Sequence, residues 1–146
     1  MDAGYAKAPW HFRAVGIVAI LFNAIGVFDF VMSMAKGPAY LESAGMSPAQ
    51  VDHYRAMPAW TVVVWGVGVF AAFAASVLLL LRRRFAFEVF VLAIAAFAIN
   101  LFYTYVLTDG GEIMGTQMAA TGAFIAVLLI AFAWYARAMT RRFVLR

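Results

Sequence analysis

The chain contains no cysteine, which removes disulfides, thiolate nucleophiles and cysteine-held iron–sulfur clusters. Charge is scarce as well: 12% of the 146 residues are charged, against about 25% in a typical soluble domain. There are two histidines. His11 precedes the first apolar stretch and His53 follows it, so they fall on opposite sides of whatever that stretch crosses and cannot sandwich a haem. No cluster of metal-ligating side chains occurs, and no glycine-rich phosphate loop, serine–histidine–acid set or pair of catalytic carboxylates. These gaps remove the usual grounds for assigning an enzyme, and no cofactor is expected. A cleaved signal peptide is not expected either, because the first apolar stretch is long, contains Asp29 and lacks a small-residue cleavage pattern after it.

What is present is apolar surface. Hydrophobic residues make up 66% of the sequence, and the mean hydropathy is +0.91. A chain this short cannot hide that much apolar surface in a water-soluble core, since small domains bury proportionally less of it. Lipid is therefore the expected solvent. A spanning helix needs about 20 predominantly apolar residues, and four stretches qualify: 14–34, 59–81, 85–107 and 114–136. Runs such as Val77-Leu78-Leu79-Leu80-Leu81 lack the polar alternation of barrel strands. The expected fold is all-α, a single integral membrane four-helix bundle over residues 1–146.

Basic residues set the expected orientation. Lys7 and Arg13 precede the first span, Arg82, Arg83 and Arg84 join the second to the third, and Arg137, Arg141, Arg142 and Arg146 close the chain. The third connection carries Asp109 and Glu112 and no base. Lys/Arg bias places both termini and the arginine turn on the cytoplasmic side, an N-in/C-in arrangement. Trp10 and Trp134 then fall at the inner interface and Trp60 at the outer one. The formal charge of +4 belongs to these flanks rather than to a basic face, so nucleic acid is not an expected partner. The arginines should form a tight helical hairpin, and Gly110-Gly111 a similar turn outside. In the first outer loop, Ser47-Pro48-Ala49-Gln50 predicts a capped, short amphipathic helix over about 48–57, stopped by Pro58.

Small residues recur at helical spacing: Gly16, Ala19, Asn23 and Gly26 in the first span, and Gly115, Ala119, Gly122 and Ala126 in the fourth. Such stripes let membrane helices approach closely. Asp29 is the residue that calls for a partner, because an acid inside a span is costly and faces the bundle interior or water. It lies fifteen residues past Ala14, as Asn100 lies fifteen past Phe85, which puts both about 22 Å from the inner boundary. They are expected to meet there, with Ser33, Tyr103 and Thr104 nearby and Asn23 nearer mid-membrane. This candidate polar site reads either as a proton-accepting or solute-binding pocket open to the outside, or as a buried network that sets helix register.

The segment Phe22-Asn23-Ala24-Ile25-Gly26-Val27-Phe28-Asp29-Phe30, followed by Ala39-Tyr40-Leu41, resembles the start of a group of small bacterial four-span membrane proteins. Their first span carries an aromatic-Asn-x-x-Gly-x-x-Asp-aromatic pattern. Met57-Pro58-Ala59-Trp60, Trp65-Gly66-Val67-Gly68-Val69 and the run Leu78 to Arg84 resemble their second span. Members go under the labels of uncharacterised membrane protein or sugar transporter. The resemblance marks Asn23, Gly26, Asp29, Pro58 and Trp60 and assigns none of them a role; a looser likeness connects the chain to DoxX-like four-helix proteins. Three functions remain open. The first is a non-enzymatic accessory subunit or small homo-oligomer. The second is a transporter or permeation protein for a small solute or proton, working through Asp29. The third is a membrane enzyme or a protein that binds lipid or another hydrophobic ligand.

Overall fold

Hydrocarbon offers no partner for a backbone N–H or C=O, so an apolar stretch must satisfy its own. The computed structural model describes residues 4–146 and, among them, contains helices and no strand. α1 runs Trp10–Lys36, α2 Pro38–Ser43, α3 Pro48–Arg55, α4 Ala59–Leu80, α5 Ala86–Phe102 and α6 Gly110–Arg141. A π-helical turn, Tyr103–Leu107, extends α5. Helices α1, α4, α5 (with its π turn) and α6 are each long and apolar enough to cross a membrane, as in a multi-pass membrane protein. They pack in chain order, so α4 lies between α1 and α5, and α5 between α4 and α6. We call the end holding both chain termini and Arg82–Arg84 the tail end. The end covered by α2 and α3 is the cap end.

The small residues of α1 pack against α4. A Cβ on Gly16 would meet the Leu80 side chain at 2.8 Å, and one on Gly26 would touch Val69 at 3.7 Å. Between them Asn23, buried, donates from Nδ2 to Ser76 Oγ at 2.8 Å. Ser76 in turn donates to the Ala72 carbonyl at 2.8 Å. Removing one partner of a buried pair leaves the other unsatisfied, at about 1–3 kcal/mol. Ser76→Ala is therefore expected to lower stability by about 1–2 kcal/mol in reversible detergent unfolding. Adding Asn23→Ala should cost less than the sum of the two single effects, because the residues share one bond.

The tail end is closed by the chain itself. Helix α4 ends in a Schellman motif, with Arg83 N bonded to Leu78 O and Arg82 N to Leu79 O. Helix α6 ends the same way, with Val144 N on Met139 O and Phe143 N on Thr140 O. Arg82 (φ 60°) and Phe143 (φ 58°) occupy the left-handed position that glycine usually fills. The two ends then clasp. Arg84 N donates to Arg146 O at 2.8 Å, Arg146 N to Arg82 O at 2.6 Å, and Arg82 Nε to Val144 O at 2.9 Å. Val144 and Leu145 sit in the main core with Phe12, Leu79, Ala86 and Phe90.

At the cap end two short helices form where the sequence pointed to one. Gly37 (φ 57°) breaks α1, and Pro38 starts α2 at its first helical position. The capping box at Ser47 and Gln50 is complete, and α3 follows it. The expected Gly110-Gly111 turn is displaced: the turn is Thr108-Asp109, and Gly110 begins α6. Thr108 Oγ1 accepts from Gly110 N at 3.2 Å, and Asp109 O accepts from Glu112 N and Ile113 N. Gly110 is required for close approach instead, since a Cβ there would lie 2.7 Å from the Thr104 carbonyl. Helices α1 and α6 extend beyond 14–34 and 114–136 at both ends.

Candidate functional site

The residues singled out in the sequence divide among four places. Asp29, on α1, is exposed, and its Oδ1 accepts a hydrogen bond from the Tyr40 hydroxyl at 2.9 Å. Ser33, buried one turn further on, donates to the Asp29 backbone carbonyl at 2.7 Å. Asn23 belongs to the α1–α4 contact described above. Tyr103 packs edge-on against Trp60, ring centroids 5.5 Å apart, and the Thr104 carbonyl accepts from Thr108 Oγ1 at 2.8 Å.

Asn100 does not meet Asp29. In its better-satisfied orientation its amide donates to Thr61 O at 3.2 Å and accepts from the Trp65 backbone N–H at 3.1 Å, both on α4. The expected adjacency is not formed. With helices packed in chain order, α1 and α5 lie on opposite sides of α4, and Asn100 turns toward the nearer backbone. The proposed carboxyl–amide pair is therefore replaced by two separate contacts.

What surrounds Asp29 instead is phenolic. Gly37-Pro38 turns the chain back so that Tyr40 returns over the last turns of α1, its ring edge-on to Phe28 at 6.5 Å. The hydrogen bond to Asp29 raises the Tyr40 phenol above its ordinary range. Burial raises the Tyr54 phenol, and the negative charge of Asp29 pushes it the same way. Both phenols therefore stay neutral, as O–H donors, throughout the physiological range. Sequence reasoning missed Tyr40 and Tyr54. The glycine–proline break ahead of Tyr40 was the one signal that the loop doubles back.

Adjacent to this acid is a cavity of about 170 Å³, roofed by α2 and α3 and lined by Ser33, Leu41, Tyr54, Arg55, Val62 and Trp65 among others. At about 30 Å³ per water it has room for five or six. That is small beside the roughly 300–1,000 Å³ of a drug-sized site. Ser33 links the cavity to Asp29 through its backbone bond, and Tyr54 links it through the charge that Tyr54 feels. Trp65 closes the inner side, edge-on to Phe30 at 4.9 Å and tilted against Tyr54 at 6.0 Å.

One side chain hydrogen-bonds the roof to α6. Gln50 Oε1 accepts from Ser47 N at 3.0 Å within the capping box. Its Nε2 donates to Ile113 O at 3.3 Å and to Met114 O at 3.2 Å. These carbonyls lie just before Gly115 (φ 76°, ψ −179°), where α6 is kinked. Broken backbone at a membrane boundary persists only where something satisfies it, and here α3 supplies the donor.

Among the described residues no group of three or more His, Cys, Asp or Glu side chains is placed to hold a metal ion. His11 hydrogen-bonds through Nδ1 to the Tyr135 hydroxyl at 2.7 Å. Compared with protein-family models, with curated proteins and with solved structures, the chain finds no match.

Proposed function

We propose that this chain is a non-enzymatic protein of a bacterial inner membrane, with both termini cytoplasmic, that holds a small solute or lipid head group beneath its outer cap. The carrying observation is Asp29. Among the described residues one neutral hydroxyl, that of Tyr40, hydrogen-bonds to its carboxylate, one turn away from a cavity-lining serine. An intramembrane acid without a basic partner is a functional site by default. A purely structural carboxyl would be enclosed in a hydrogen-bonded network, and this one is exposed. The Lys/Arg distribution supports the orientation. The likeness of the first span to proteins labelled sugar transporters points toward solute binding and gives no residue a role.

Asp29→Asn tests this reading. The exposed Tyr40 bond contributes about 1 kcal/mol at most, so the variant is expected to fold and to melt within a few degrees of the wild type. Native mass spectrometry in mild detergent should show a small bound molecule on the wild type and its loss from the variant. A large loss of folded protein on Asp29→Asn, or a ligand-free wild type, contradicts the proposal.

A second reading, an accessory subunit or homo-oligomer, has its own observation. In the cap half of α6 the residues Thr116, Ala119, Ala120 and Ala123 are all exposed, the composition that membrane helices use for close approach. The same mass spectrum distinguishes the two readings: a dimer or a second protein favours this one.

A further inference from the structure

Helices α1 and α6 run antiparallel, and in the tail half they touch through side chains. His11 bonds to Tyr135. Phe22 lies edge-on to Phe124 and tilted against Phe132, each with centroids 6.3 Å apart. Toward the cap, among the described residues, no ring pair or side-chain hydrogen bond joins the two helices. The register says what lies there. Asp29 is seven residues beyond Phe22 and eighteen beyond His11, which are two and five turns of helix, so it continues the face of α1 that meets α6. On α6, Gln117 is seven residues before Phe124 and eighteen before Tyr135, so it continues the facing surface by the same steps. Phe22 lies level with 124–132, and seven residues further along α1 the opposing stretch of α6 is about 117–125. Asp29, Gln117 and Thr121 are all exposed. The seam between the two helices is thus joined by rings in one half and carries exposed polar side chains in the other, with an acid on α1 and an amide and a hydroxyl on the corresponding face of α6.

Three features define what fits. The acid has a neutral donor and no hydrogen-bonded base among the described residues. Lys36, His53 and Arg55 belong to the same end, and none of them hydrogen-bonds to it. Aromatic rings flank the acid: Tyr40 and Phe28 directly, and Tyr54 close enough to feel its charge. Ring faces and a carboxylate together attract a cation, the combination that recognises alkylated ammonium groups. Finally, the seam opens sideways, where Ile25 and Phe124 are exposed and an acyl or alkyl chain can lie.

We infer that the cap half of the α1–α6 seam is a lateral site for an amphiphile with an ammonium head group. The head lies against Asp29 among the phenols, with Gln117 and Thr121 offering hydrogen bonds from α6. The chain extends toward the bilayer past Ile25 and Phe124. This rests on the binding function proposed above and names its ligand class and its route.

The test uses the full chain in a neutral maltoside detergent, titrated with decyltrimethylammonium and separately with decyl glucoside, an uncharged probe of equal chain length. Binding is read from tryptophan fluorescence and thermal shift. The ammonium probe is expected to saturate the wild type with Kd at least tenfold below that for Asp29→Asn. Gln117→Trp, which adds an indole to the seam from the α6 side, should weaken it by a similar factor. Equal binding of both probes, still lost in Asp29→Asn, overturns the ammonium class and leaves the binding function standing. Undiminished binding to Gln117→Trp overturns the lateral route. No saturable binding of either probe to the wild type overturns both the inference and the function beneath it.

Discussion

Removing residues 143–146 is expected to lower the melting midpoint in detergent by roughly 10 °C or more. Four residues at a chain end ordinarily contribute little, being frayed and solvated. These are not. Val144 is 1% exposed and Leu145 3%, and each contributes a buried aliphatic side chain to the core that joins α1, α4, α5 and α6 at the tail end. Truncating such a side chain to alanine costs about 2–5 kcal/mol where the site cannot collapse, so Leu145→Ala alone should be readily measured. The tail's backbone is also bonded across the bundle, to Ala6, Arg82 and Arg84. Its loss would uncover the Arg82–Arg84 turn, whose left-handed residue is held by its guanidinium bonds to Val144 O and Ala6 O. Phe143→Gly is the control. Phe143 is 65% exposed and sits at φ 58°, so glycine there should be neutral or slightly stabilising. An unchanged midpoint after deletion would mean that the tail is not part of the core.

The second large effect is expected from Gln50→Glu. Glutamate preserves the capping box, because its carboxylate can still accept from Ser47 N, and so leaves α3 itself intact. It removes the amide hydrogens that reach Ile113 O and Met114 O and sets a negative oxygen against them. Two carbonyls beside the Gly115 kink lose their donor, at about 1–3 kcal/mol each when shielded from water, with repulsion added. The roof over the cavity is then released from α6 while the four long helices stay paired. Hydrogen exchange should show faster opening of α3 and of 110–116, with protection in α4 and α5 unchanged. Gln50→Ala should show part of this effect, and uniform destabilisation of the whole bundle would contradict the local role.

Much of the architecture could be read from the sequence because hydrocarbon imposes strict rules. Uncharged runs such as Ala59 to Leu81 admit little besides a spanning helix, and Ser47-Pro48-Ala49-Gln50 encodes its cap locally. What was not legible depended on which helix lies beside which. Counting residues along two spans assigns Asn100 and Asp29 one expected depth, and depth is a one-dimensional quantity. Their separation by α4 is a two-dimensional one that sequence does not give. The phenols near Asp29 were missed for the same reason, since Tyr40 and Tyr54 come from two short helices outside the long ones. Gln50 was recognised for its local bond and not for its bonds to residues more than sixty positions away. The C-terminal clasp was hidden because Arg141, Arg142 and Arg146 read as solvated charge, although Val144 and Leu145 between them are core residues.

The proposed function needs the acid with its neighbouring roofed cavity and the clasped tails to face opposite sides of a membrane. Absence of native cysteine makes single-thiol labelling the most direct measurement, with Ala44→Cys in the cap and Arg83→Cys in the arginine turn, both at exposed positions. A membrane-impermeant maleimide added to intact cells should modify the Ala44→Cys variant and reach the Arg83→Cys variant only after the membrane is opened. Modification of both in intact cells, or of Arg83→Cys alone, would contradict the account.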